Sequence, residues 1–292
     1  MEQFIQQIIN GISIGSIYAL IALGYTMVYG IINLINFAHG DILMIGGYVG
    51  FFCSYTLGIG FIPATIIAVI ICSILGVVIE RVAYRPLRHA PRITLLITAI
   101  GVSFLLEYAM MYFVGPDVRT YPSGFFGLGY INLGGISIPS DKLMVTFITL
   151  VLMVLLQLLI SKTKIGKSMR AVSSDPDAAQ LMGVSVDKAI SFTFLIGSAL
   201  AAVAGVMYGG MFTVNPLSGM TPGLKAFIAA VFGGIGSIPG AIVGGVSLGL
   251  IETLVSGYLS SAYKDAVAFA ILIIILIVKP SGLLGKNRKE KV

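Results

Sequence analysis

Apolar residues fall in long runs separated by short polar interruptions, at about 8–30, 42–57, 62–79, 93–114, 143–161, 191–213, an interrupted stretch 226–251, and 266–278. A helix needs about 17–25 such residues to cross about 30 Å of hydrocarbon. The strict alternation of a membrane β-strand is missing. The pattern predicts an all-α fold: a polytopic membrane helical bundle of about 8 spans, with residues 1–292 forming a single transmembrane domain.

Two interruptions lie where spans ought to continue. A helix running unbroken from 8 to 57 would be about 75 Å long, more than twice the bilayer, so the stretch NLINFAHGDILMIGG at 33–47 must break it. Asn33, Asn36, His39 and Asp41 cluster there, and Asp41 is expected to cap a helix starting at Ile42, its carboxylate accepting from the free N–H groups. The second interruption is FGGIGSIPGAIVGG, where Pro239 lacks a backbone donor and the glycines, Gly236 among them, are poor helix formers. Both halves of the chain run apolar span, interruption, Gly-rich span, turn, apolar span, basic segment, a weak two-half repeat pairing NFAHGD with GGIGSIPG. Non-helical backbone at membrane depth survives only where protein or a water-filled cavity satisfies it, and paired interruptions point to a transport pathway. Asn33, Asn36, His39, Asp41, Gly236 and Pro239 are the candidate lining residues.

Composition and charge sharpen the picture. Hydrophobic residues make up 57% of the 292 and charged residues 10%, against about 25% charged in soluble domains. Of the 18 Lys and Arg, 14 fall in the segments 80–92, 162–190 and the tail beyond 278, whereas 115–142 has only Arg119 and Lys142. The positive-inside rule places the three basic segments, C-terminus included, in the cytoplasm and 115–142 outside; the side of the N-terminus stays open. The net charge of +6 then follows from topology and attraction to anionic lipid, without nucleic acid. With 191–213 leaving the cytoplasm and the tail ending inside it, 226–251 must enter and leave by one face, as two half-helices would.

Other chemistry is sparse. KIGKS at 164–168 fails as a phosphate loop, since Ser161 stands where glycine is needed and a membrane span precedes it. Asp41, Glu107 and Glu252 are the ionisable residues noted within spans, Glu107 with snorkelling or a hydrogen-bonded packing role read ahead of an ion site. His39 and His89 form no ligand cluster, so no metal is expected. Cys53 and Cys72 lie in apolar runs, as small buried hydrophobes do. The start, MEQFIQQIIN, has no basic n-region or cleavage site and reads as a retained first helix. Small residues at i,i+4 spacing, such as Gly46/Gly50 and Gly245/Gly249, favour close helix packing.

The segment GKSMRAVSSDPDAAQLMGVSVDK at 166–188 encodes a two-turn helix: Asp175 as cap, Pro176 at the first position, Asp177 favouring the dipole, Gly183 as terminator. Exposing Leu181 and Met182 there calls for a cover, a lipid surface or a partner groove. GISIGSIYALIALGYTMVYGIINLINFAHGD, RAVSSDPDAAQLMGV and AAVFGGIGSIPGAIVGG, in this order, resemble the branched-chain amino acid permeases of ABC transporters, the LivH/LivM permease family and its LivH-type subunit in particular. The resemblance spans nearly the whole chain. It implies a subunit of the bacterial inner membrane that is not itself an enzyme, with a LivM-like second permease, two cytoplasmic ATPase subunits carrying ATP and Mg, and a periplasmic amino-acid-binding protein as partners. It also implies a coupling loop, 162–190, in which Asp175, Ala178, Ala179, Leu181 and Gly183 contact an ATPase. Relatives with this pattern carry urea or short amides, which stands as the alternative substrate class; a stand-alone secondary amino acid transporter and a membrane enzyme are the rival function classes.

Overall fold

The computed structural model describes residues 2–32, 36–88, 90–127, 129–133 and 136–285; Asn33, His89 and the tail beyond 285 lie outside them. The helices are α1 (Glu2–Ile32), α2 (His39–Leu57), α3 (Phe61–Ile79), α4 (Arg92–Val114), α5 (Ser140–Lys162), α6 (Lys164–Ser174), α7 (Pro176–Leu181), α8 (Val186–Met211), α9 (Met220–Gly233), α10 (Ile238–Tyr258) and α11 (Lys264–Val278). Among the described residues, eight helical stretches are long and apolar enough to cross a membrane. One small feature departs from an all-helical reading: β1 (Tyr130–Leu133) and β2 (Ile136–Pro139) form an antiparallel hairpin with Tyr130 opposite Pro139.

The charge pattern maps onto the two ends of the bundle. Arg88 ion-pairs with both Glu80 and Asp187, joining the segment after α3 to the start of α8. Arg170 in α6 donates to the Ile160 carbonyl at 2.6 Å, and the Leu283 and Leu284 N–H groups donate to the Phe232 and Gly233 carbonyls at 2.9 Å. The described parts of the three basic segments thus share one end, called here the basic end. At the other, the hairpin end, Lys142 bonds Asn10 at 2.6 Å and Gly257 packs against Gln7, so α1 starts there.

Central α1 and α8 are mostly buried, whereas α4, α5 and α11 expose most of their surface, as lipid-facing helices do. Small residues allow the central contacts: Gly15 and Ala19 of α1 meet Gly249 and Gly245 of α10, and Gly46 of α2 meets Ala202 of α8. Glycine at these positions lets backbones approach where no side chain fits.

The contacts expose the repeat in its true register. α1 touches α9 and α10 as α8 touches α2 and α3, and α2 touches α3 and α4 as α9 touches α10 and α11. Because α1 runs from the hairpin end and α8 from the basic end, the two four-helix units are inverted. NFAHGD (36–41) therefore corresponds to NPLSGM (215–220) and not to GGIGSIPG. The hydrogen bonds agree residue by residue: His39 N–H to the Asn36 carbonyl and Ser218 N–H to the Asn215 carbonyl are both 3.0 Å, while Asp41 to Ala38 and Met220 to Leu217 are both 3.2 Å. The sequence pairing failed because glycine richness, not turn geometry, guided it.

Two further expectations change. The second break falls at Gly234–Gly236, both glycines at positive φ (109° and 89°) that a Cβ would strain; Pro239 sits in the first turn of α10, and Ser237 caps that helix by accepting from the Gly240 N–H at 3.2 Å. Of the two helices at this break only α9 is short, its 14 residues spanning about 21 Å, while α10 has 21 residues and is of membrane length.

Candidate functional site

The starts of α2 and α9 meet inside the chain. A Cβ built on Gly40 would lie 2.6 Å from the Gly219 carbonyl oxygen, and one built on Gly219 would collide with the Gly40 carbonyl. Each residue corresponds to the other in the inverted repeat, so the contact is reciprocal, as a two-fold axis requires. Two helix N-termini, each carrying the positive end of a helix dipole, converge here.

Asp41 does not cap α2. The helix begins at His39 after Ala38, which puts Asp41 inside its first turn, where its buried carboxylate accepts from the Ser103 hydroxyl of α4 and contacts the Glu107 carboxyl one turn further along α4. Asn36 is also buried and accepts at Oδ1 from the Tyr84 hydroxyl at 2.8 Å. Tyr84 belongs to the π-turn Glu80–Tyr84 that ends α3, and its ring lies 5.3 Å from Phe194 of α8. His39 is buried against Gly24, its ring 4.8 Å from Tyr25. These polar residues brace the junction from within the chain. On the second side of the junction, Leu217 and Met220 are exposed, so that side presents itself at the surface.

A strap at the hairpin end ties the junction down. The Arg119 N–H donates to the Val214 carbonyl at 2.7 Å and the Arg119 carbonyl accepts from the Val214 N–H at 2.9 Å, while the Tyr121 hydroxyl donates to the Gly47 carbonyl at 2.5 Å. Burial pushes the Tyr121 phenol pKa up, so it stays a donor.

The most charged buried group was missed by sequence reasoning. Lys225, in the second turn of α9 and only 5% exposed, places Nζ 2.6 Å from Glu252 of α10 and 2.7 Å from Asp265 of α11. The Tyr18 hydroxyl of α1 donates to the other Glu252 oxygen at 2.9 Å. The signal was present as a solitary lysine in MTPGLKAFIAAVFG, but charge counting by loops passed over it. Among the described residues no group of three His, Cys, Asp or Glu could hold a metal ion.

Gly236 and Pro239 lie elsewhere, at the basic end. Gly236 lines a small cleft with Thr26, Gly30 and Ile31 of α1 and Met169 and Arg170 of α6; Pro239 is exposed. The candidate pathway residues therefore form two groups, one in the junction and one beside the loop 162–190.

In that loop α7 is built as its residues dictate. Asp175 Oδ1 accepts from the Asp177 and Ala178 N–H groups at 3.0 Å, and Gly183 at φ 82° turns the chain out of the helix. Ala179 is buried, while Leu181 and Met182 are 89% and 84% exposed. A preceding helix, α6, capped by Thr163, was not anticipated.

Comparison with known proteins follows the same lines. Residues 7–276 match the family model described as branched-chain amino acid transport system / permease component. The high-affinity branched-chain amino acid transport system permease protein LivH of Escherichia coli K12 is 46% identical, the alignment covering 99% of this chain and 98% of that protein. BraD, of the same description, from Pseudomonas aeruginosa is 43% identical over 99% and 98%. A probable LivH of Methanocaldococcus jannaschii is 29% identical over 94% and 90%.

Proposed function

This chain belongs to the branched-chain amino acid transport permease family, and from that premise we propose that it is the LivH-type membrane subunit of an ATP-driven importer of leucine, isoleucine and valine. Near-complete alignment with LivH and BraD carries the reading. The chain is a multi-pass membrane protein; its place in the bacterial inner membrane with the basic end in the cytoplasm belongs to the proposal, and the gathering of Arg88, Arg170 and the chain after α11 at one end supports it.

The importer would comprise this chain, a LivM-like second permease, two cytoplasmic ATPases binding ATP and Mg, and a periplasmic binding protein that selects substrate. In this scheme α7 seats in an ATPase groove through Leu181 and Met182, with Asp175, Ala178, Ala179 and Gly183 fixing its shape. Motion of α6 and α7 reaches α1 across the cleft at Gly236, and α1 leads into the α2/α9 junction. The pathway runs past that junction, with Asn36, His39 and Asp41 holding its shape and Gly236 and Pro239 flanking its basic end. A weakly contacting path suits a zwitterion with an apolar side chain, since firm binding midway would slow release.

Subunits retained in mild detergent and uptake by reconstituted vesicles test the reading. ATP-dependent leucine uptake by the assembled complex, and its loss in Leu181→Asp through an unpaired charge in the groove, are expected. Gradient-driven uptake by this chain alone, without ATPases, would overturn the proposal. On intact cells an impermeant thiol reagent should reach Ser123→Cys and not Ser174→Cys.

A further inference from the structure

Most of α4 faces outward, and what it buries is one stripe: Leu95, Ala99 and Glu107, with half-buried Ser103 between. At four-residue spacing these share a face, which packs on α2. The polar half of the stripe meets Asp41 in the first turn of α2: Ser103 donates to one carboxylate oxygen and Glu107 is in hydrogen-bond contact with the group. Both carboxyls are buried, and among the described residues neither ion-pairs with a Lys, Arg or His.

Among the described residues the surroundings offer no compensating cation. α1 presents Tyr25 towards Asp41, and α3 presents the Cys72 thiol to the Ile42 carbonyl. Lys225 of α9 is committed to Glu252 and Asp265. Near the end of α3, Glu80 is held by Arg88 and Ser191, and the charged residues of α8, Asp187 and Lys188, sit in its first turn at the basic end. Two carboxyl groups in contact in a low-dielectric site cannot both be ionised. A hydrogen bond between them also needs a proton, because an ionised carboxyl only accepts.

We propose that Asp41 and Glu107 hold a proton between them at neutral pH, and that this carboxyl–carboxylate bond seats α4 on the first turn of α2 beside the Gly40–Gly219 contact. The proton takes no part in driving transport. It lets a lipid-facing helix dock by a polar link without placing two charges in hydrocarbon. The proposal stands on the geometry of this chain and not on the substrate.

Infrared difference spectroscopy of the assembled complex in lipid nanodiscs at neutral pH tests it. A protonated-carboxyl C=O stretching band that shifts in heavy water is expected in the wild type. It should vanish in Asp41→Asn and equally in Glu107→Gln, since each amide supplies the donor and leaves its partner ionised. Both variants should keep the wild-type unfolding midpoint, because the hydrogen bond survives the replacement. A wild type whose difference spectra against both variants show no such band would overturn the proposal. So would an unfolding midpoint that rises with added Na+ or K+ and loses that dependence in either variant, because a bridging cation would then be doing the proton's work.

Discussion

At Asn36–Asp41 the chain turns back into the bundle behind buried polar side chains, whereas at Asn215–Met220 the same turn leaves Leu217 and Met220 exposed. Two backbone bonds of the turn match in partners and length, yet the anchoring chemistry has diverged. The first junction is tied to its outer helix, α4, by Asp41, Ser103 and Glu107. The second is tied to α11 by Lys225 through Asp265, with Glu252 of α10 as the shared partner. An inverted repeat fixes where a link is needed and leaves open which charges make it. The ion-paired side is the more vulnerable, because removing one partner strands another in the interior.

Lys225→Ala should give the largest effect, about 3–5 kcal/mol, since buried Glu252 then keeps only the longer ion pair with half-exposed Lys264, 3.8 Å away; the measurement is the unfolding midpoint in detergent. Glu252→Gln combined with Lys225→Met should recover part of that loss, and no recovery would mean that shape matters more than charge there. On the first side, Tyr84→Phe strands the Asn36 acceptor and should cost about 1–3 kcal/mol. Asn215→Ala removes only the bond from the Leu217 N–H, 2.9 Å long at an exposed position, and should cost about 0.5–1.5 kcal/mol. A loss in Asn215→Ala as large as that in Tyr84→Phe would erase the contrast between the two sides.

Much of this was legible in the sequence. Apolar runs located the spans because hydrocarbon thickness imposes length directly, and Asp175, Pro176 and Gly183 marked α7 because capping is local. Cys53 and Cys72 are free and buried, as their apolar neighbours suggested. What escaped depends on contacts distant in sequence. Asp41 looked like a cap because its true partners, Ser103 and Glu107, lie about sixty residues away. Lys225 carried no loop signal, since its partners lie on two later helices. NPLSGM carries no sequence signal of its role, because nothing local shows that it dips back to meet Gly40.

The reciprocal contact of Gly40 with Gly219 is the centre of the account, and a double-mutant cycle probes it directly. Unfolding is measured for Gly40→Ala, Gly219→Ala and the pair. Each methyl intrudes on the other residue's carbonyl, so each single change should destabilise by about 1–3 kcal/mol. The shift that accommodates one methyl alters the room for the other, so the pair should depart from additivity by more than about 0.5 kcal/mol. Losses that add within about 0.3–0.5 kcal/mol would mean that the two helix starts do not touch, and would contradict the inverted meeting of α2 and α9.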